Sequence, residues 1–319
     1  MDVICADAVL VWCFVATSAP RDMELVTRER YQEFVRTNDS VLIGNCRVRL
    51  TGQVSSVLSP PEYTPEETTV WNFPDRGEWA THRGDYPGNW SPYVPRNLLD
   101  KYTMKGDLVC DPMMGSGTTL VECKLMDRAA IGVDINLNAC MVAMNRLDFH
   151  WDENVSNSET AVRVYHGDAR KLNALADATV DLLTIHPPYA NIIGYSGGRI
   201  PGDVSIPEID QFVQEMKTVA RECFRVLKPA KHCAVMIGDT RRKGHYVPLN
   251  IGVLSAFQAF GFILKEDVIK LQHATRSSRE AWLQGSLGFY KIAHEHLYVL
   301  RKDDRSLNPS DYQFSRKWW

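Results

Sequence analysis

No two of the eight cysteines form a C-x-x-C pair, and no cysteine–histidine spacing matches a zinc site. That excludes zinc modules and thioredoxin-type redox chemistry, so no metal is expected. Most of the cysteines stand in apolar stretches, where a free thiol behaves as a small hydrophobe. A reducing, cytoplasmic setting follows. Excess positive charge is missing too: 36 Lys and Arg face 39 Asp and Glu, for a net charge of −3 and a pI near 6.3. This counts against a protein that coats nucleic acid by bulk charge, but not against one with local basic loops. There is no internal repeat and no long low-complexity run. Residues 1–19 are apolar, yet Asp2 and Asp7 interrupt them and no basic segment precedes them, against a secretory signal or membrane anchor. Residues 1–22 read instead as a leader or over-long start without fixed structure.

What is present is core: 45% of residues are hydrophobic and 24% charged, enough for one large domain with a small addition. Residues 23–70 are expected to supply the addition and its linker. They read as a polar helix beginning at Met23 and ending near 37, one or two strands within 41–58, then a proline-rich stretch from Ser59 to Glu67. Residues 71–319 should form the larger domain. Strand patterns at 108–111, 130–134, 162–165, 180–185, 233–238, 262–270 and 296–301 alternate with helical ones at 92–104, 117–126, 136–147, 207–227 and 248–259. In the fourth of these helices, apolar residues from Ile209 to Leu227 recur at steps of three and four. The alternation predicts an α/β fold, a doubly wound, seven-stranded, mostly parallel sheet of Rossmann-like type with right-handed crossovers and a final hairpin.

Two short segments carry chemistry. The first, Asp111-Pro112-Met-Met-Gly115-Ser116-Gly117-Thr118-Thr119, closes a strand and opens a helix. Glycines there permit a tight turn and let a ligand lie against backbone amides. Such a turn is weak evidence by itself, since many α/β proteins use one merely to change direction. However, Asp134 ends the next strand, where a carboxylate can accept from two ribose hydroxyls. Asp168 ends the third and can accept from an adenine amine. A nicotinamide cofactor stays open on these residues, although the third glycine of the dinucleotide pattern is missing.

The second segment, His186-Pro187-Pro188-Tyr189, ends the fourth strand, expected two strands away from the first. An exocyclic base amine is a poor nucleophile because its lone pair is delocalised into the ring. A site that accepts hydrogen bonds from its N–H groups lets the nitrogen pyramidalise. His186 offers one acceptor and the Pro187 carbonyl another, the prolines stiffen the turn, and the Tyr189 ring can stack on an extruded base. The plain alternative is a Pro-Pro strand terminator with a surface aromatic. Neutral imidazole is required for the accepting role, so activity is expected to fall as pH drops through about 6.5.

Together these segments resemble the amino-methyltransferases of the DNA N4-cytosine/N6-adenine family. Residues 111–122 are similar to its cofactor motif and 186–189 to its catalytic tetrapeptide. Trp90-Ser91-Pro-Tyr93-Val-Pro-Arg-Asn97 resembles the segment that covers the methionine end of the cofactor, and 293–302 the last strand. The resemblance implies that 71–319 is a methyltransferase catalytic domain using S-adenosyl-L-methionine. Its substrate would be the exocyclic amine of a DNA base, cytosine N4 or adenine N6, in a duplex with the base flipped or in a single strand. The enzyme would serve restriction-modification beside a cognate endonuclease, or act alone. His186 departs from the Asp, Asn or Ser usual at its position and leaves the base undecided.

Target contacts are expected from loops 190–206, 239–246 and 272–290 and from the N-terminal addition. Arg241, Arg242 and Lys243 follow the fifth strand; Arg276, Arg279, Trp282 and Tyr290 mix charge with aromatics; so do Trp71, Arg76, Trp79, His82 and Arg83. Two other functions fit the residues less well. An RNA base-amine methyltransferase would usually add an RNA-binding module, and none is visible. A catalytically inactive cofactor-binding scaffold would not need Pro187, Pro188 and Tyr189 intact.

Overall fold

The computed structural model describes residues 22–50, 54–60, 62–149, 161–188, 200, 203–205, 208–273, 288–304, 306 and 308–316. The expected leader at 1–22 lies outside them except for Asp22, as do Tyr189, Arg276, Arg279 and Trp282.

In chain order the strands are β1 (Glu24–Leu25), β2 (Ser40–Ile43), β3 (Cys46–Arg49), β4 (Val70–Trp71), β5 (Leu108–Asp111), β6 (Ala129–Asp134), β7 (Val162–His166) and β8 (Val180–Ile185). They continue as β9 (Leu227–Ile237), β10 (Thr240–Arg242), β11 (His245–Val247), β12 (Phe262–Leu271) and β13 (His294–Lys302). The helices are α1 (Arg28–Thr37), α2 (Tyr93–Tyr102), α3 (Thr118–Leu125), α4 (Leu137–Leu147), α5 (Ile209–Val226) and α6 (Leu249–Gln258). All seven expected strands are present and lie side by side as β7-β6-β5-β8-β9-β13-β12. β5 to β9 pair in parallel, while β13 runs antiparallel between β9 and β12. This is the doubly wound architecture with its terminal hairpin.

The sheet is nevertheless nine strands wide. β1 adds antiparallel to β7 and β4 adds parallel to β12, each by two residues. Met23 therefore does not start a helix as expected. Glu24–Leu25 is strand, and the helix waits for Thr27, whose hydroxyl accepts from the Arg30 N–H as an N-cap. The hairpin β2–β3 packs Val41, Ile43 and Val48 against Ala139 and Val142 of α4.

Alternating side chains send each central strand's apolar residues to both faces. On one face Cys110, Leu183 and Val235 meet Phe212, Met216, Val219 and Cys223 of α5 and Leu254 and Phe257 of α6. On the other, Val109, Leu182 and Ala234 meet Leu98 and Leu99 of α2, Leu120 of α3 and Met141 of α4. Among the described residues the cysteines are free thiols, all buried except Cys46.

The chain leaves β5 for β6 on one side and returns to β8 on the other, so the switch in direction falls between β5 and β8. Open α/β sheets bind ligands at such a point, outside the carboxyl ends of the strands. β5 and β8 are direct neighbours. The two chemical segments are thus adjacent, not two strands apart as expected.

Candidate active site

A cleft with about 870 Å³ of empty space, solvent included, opens at that switch point. Asp111, Pro112, Gly115, Ser116, Thr118, Asp134, Asp168, Trp90, His186 and Pro188 all line it. One wall is the turn after β5. Gly115 at φ +50° and Gly117 at φ +78° hold left-handed backbone that other residues adopt only with strain. A Cβ on Gly117 would also lie 3.0 Å from that of Ala143, so this glycine sets how closely α3 approaches α4 without itself lining the cleft.

The acids tie this turn together. Asp111 accepts from the Met113 N–H at 3.2 Å and the Thr119 hydroxyl at 2.7 Å. Asp134 accepts from the Gly115 N–H at 3.0 Å and the Asn136 N–H at 2.8 Å. Burial outweighs these bonds and pushes both carboxyls up to about 7. Asp168 also faces the cleft, but it is not the free acceptor expected. Arg170 donates from Nε to its Oδ1 at 3.0 Å and from Nη2 to its Oδ2, and reaches Glu215 with its remaining nitrogen at 2.7 Å.

The opposite wall is His186. Its ring stacks on Trp90, centroids 5.4 Å apart and planes 17° from parallel. Its Nε2 lies 3.8 Å from Glu295 Oε1, and Glu295 Oε2 accepts from Lys270 Nζ at 3.0 Å. Burial is the main influence on the imidazole; Glu295 raises its pKa and Lys270 lowers it, and it ends near 4. The acid limit expected near pH 6.5 is corrected by this: a ring so placed stays neutral well below pH 6. Pro187 is buried beneath the turn and does not line the cleft.

Segment 90–97 contributes less directly than its resemblance implied. Trp90 lines the cleft, whereas Ser91 donates to the Arg76 carbonyl at 2.7 Å and Tyr93 stacks on Phe73. Both lie behind the wall. The aromatic and cationic mixture at 71–83 is not a nucleic-acid surface: Trp71, Trp79 and His82 are buried, and Arg76 donates to the Trp90 carbonyl at 2.9 Å. Trp79 and His82 are organised by Glu122 of α3. It accepts from Trp79 Nε1, from Arg96 Nη1 and, with a neutral His82 as donor, from His82 Nε2, all at 2.7 Å. Of the basic run after β9, Arg242 and Lys243 are exposed at the tip of the β10–β11 hairpin. Arg241 is not available for phosphate as expected. It donates to the Gly244 and Tyr290 carbonyls and lies over the Phe289 ring, 4.4 Å from its centroid.

Sequence reading missed Tyr86, Asn89 and Asp203 in the cleft and Glu295 and Lys270 behind His186. Asp203 stands in no recognisable motif, and the resemblance at 293–302 marked Glu295 only as part of a strand, so no local signal gave either a role at the site. No group of His, Cys, Asp and Glu able to hold a metal ion occurs among the described residues, nor does a helix long and apolar enough to cross a membrane.

The type II methyltransferase M.MjaII of Methanocaldococcus jannaschii is 40% identical over 62 residues, 19% of this chain and 12% of that protein. The tRNA (guanine(10)-N2)-dimethyltransferase of Methanothermobacter thermautotrophicus is 35% identical over 106 residues, 33% of this chain and 29% of that protein. The chain thus spans well under two thirds of the length of these relatives. A solved structure of a SAM-dependent methyltransferase from Methanosarcina mazei aligns over 65% of this chain and 97% of its own, at 14% identity and a TM-score of 0.46. The profile of the N6/N4 DNA methylases matches residues 32–145 and 180–319. The chain belongs to the N6/N4 DNA methylase family.

Proposed function

We propose that this protein transfers a methyl group from S-adenosylmethionine to the exocyclic amine of a DNA base. The observation that carries the reading is one cleft lined by both the turn after β5 and by His186 and Pro188. The cleft's donor and acceptor set suits this cofactor: Asp134 lies where ribose hydroxyls would donate, and the glycine turn presents backbone to the chain that follows. When bound, the cofactor supplies a methyl on a sulfonium, which departs as a neutral thioether as the amine nitrogen bonds to the methyl carbon. The protein's own work is positional. His186 accepts from an amine N–H, which lets the nitrogen lone pair leave conjugation. Trp90 holds the imidazole plane, and a base must leave its stack to reach it. Tyr189 would stack on that base, and Arg242 and Lys243 with Arg276, Arg279 and Trp282 would meet the strand around it.

A second reading, methylation of an RNA base amine, is favoured by one finding: the matched stretch of a tRNA dimethyltransferase. One experiment separates the two. The protein is incubated with isotopically labelled cofactor and either genomic DNA or total tRNA, and the digested nucleosides are identified by mass. Labelled N4-methylcytosine or N6-methyladenine from DNA is the expected product, and it also names the base. Label confined to tRNA nucleosides would overturn the proposal in favour of the second reading.

A further inference from the structure

Histidine at the head of the tetrapeptide poses a problem that a carboxylate, amide or hydroxyl would not. A neutral imidazole has one bare nitrogen and one N–H, and the wrong tautomer presents a donor to an amine that must donate. Some neighbour has to choose. Glu295 is placed to do so: it is buried, with Oε1 3.8 Å from His186 Nε2. That distance exceeds a hydrogen bond by about 1 Å, and catalytic contacts commonly tighten in the loaded complex. A carboxylate there attracts an N–H and repels a lone pair.

We propose that Glu295, neutralised by Lys270, holds His186 as its Nε2–H tautomer, leaving Nδ1 as the acceptor for the base amine. The arrangement rests on the methyl-transfer reading of the cleft. Lys270 and Glu295 are directly paired residues on the antiparallel strands β12 and β13, which fixes the ion pair independently of His186. The pairing serves a second end. A bare carboxylate beside imidazole would favour imidazolium, which has no lone pair to offer. The Lys270 ammonium at 3.0 Å from Oε2 opposes that influence and, with burial, keeps the ring neutral, so Glu295 can orient the ring without protonating it. Trp90, uncharged, stacks on one face of the ring. Glu295 and Lys270 are therefore positioning residues, acting on the amine only through His186.

The test uses the full-length protein with ¹⁵N-labelled histidine. The His186 ring nitrogens are read by NMR with S-adenosylmethionine present, and methyl transfer to DNA is measured in parallel. The unaltered protein should show a protonated Nε2 and a bare Nδ1. The isosteric pair Glu295→Gln with Lys270→Met removes both charges without stranding either. It should mix the tautomers and lower kcat about 10–100-fold, the usual loss when a partner that orients a histidine is removed, with the KM for cofactor unchanged. Lys270→Met alone should move the acid limit of kcat to higher pH, because Glu295 then favours imidazolium unopposed. A bare Nε2 in the unaltered protein, or a double variant that keeps both tautomer and rate, overturns the proposal. Failure to methylate DNA would instead count against the reading of the cleft, and the NMR arm would still decide the tautomer.

Discussion

Burial is what raises the cost of ionising Asp111 and Asp134; the Asp134 charge adds to it at Asp111, and that of Asp203 at Asp134. For Asp111 the folded-state value of about 7 lies above its ordinary 3.8. Its contribution to stability is then fully present below about pH 4 and is lost as pH rises through 7. Asp111→Asn removes the charge while keeping the geometry, since the amide oxygen still accepts from Met113 and the Thr119 hydroxyl can turn from donor to acceptor. The substituted protein should melt at least about 3 °C higher than the original at pH 8, with the advantage cut to less than half at pH 5 and gone below about pH 4. An equal difference at all these pH values would show that ionisation is not the cause. His186 has the opposite sign. Burial depresses it to about 4 with Glu295 and Lys270 opposing one another, so it is neutral above that value. At saturating cofactor, kcat should hold within about twofold from pH 8 to pH 5, the range in which a depressed imidazole stays bare. A midpoint near 6.5 would mean the ring titrates as if exposed.

At the level of elements, α3 does more than present its N-terminus to the cleft. Glu122 points from its far side into a buried junction with Trp79, His82 and Arg96, which anchors the segment leading to Trp90. Burial keeps His82 from protonating readily, so Arg96 is the charge that balances the carboxylate. Glu122→Ala would strand a guanidinium in a dry site and should cost about 3–5 kcal/mol in urea unfolding; a loss below 1 kcal/mol would show that water already reaches the junction. This junction was hidden from sequence reading for a physical reason. Trp79 and His82 stand in a stretch with the composition of a nucleic-acid surface, and nothing local says that a glutamate about 40 residues later will draw them inside. The seven main strands and five of the helices were legible because they are long and periodic. β1 and β4 were not, since two-residue edge strands take their hydrogen bonds from β7 and β12, far along the chain. The Asp111 turn and His186 were legible as motifs. Glu295 was not, because its role exists only through β13 passing beside the end of β9.

Over the whole molecule the charge is −3, so long-range attraction to a polyanion is weak and binding must come from a few exposed cations. Arg242 and Lys243 at the hairpin tip are two such residues, on the connection that follows β9, the strand next to β8. Arg241, though adjacent, is committed to the chain at 289–290 and holds the hairpin's shape. Replacing Arg242 and Lys243 together with alanine should weaken DNA binding regardless of base sequence. The slope of log affinity against log salt should shrink by about 1.8, the release of two counterions from duplex. Cofactor affinity should not change, because neither side chain lines the cleft. An unaltered salt slope would place the strand elsewhere on the surface. Arg241→Ala should behave differently, loosening the hairpin against residues 289–290, so its binding loss would come with faster amide exchange across β10 and β11. That contrast separates a cation that touches phosphate from one that supports the loop.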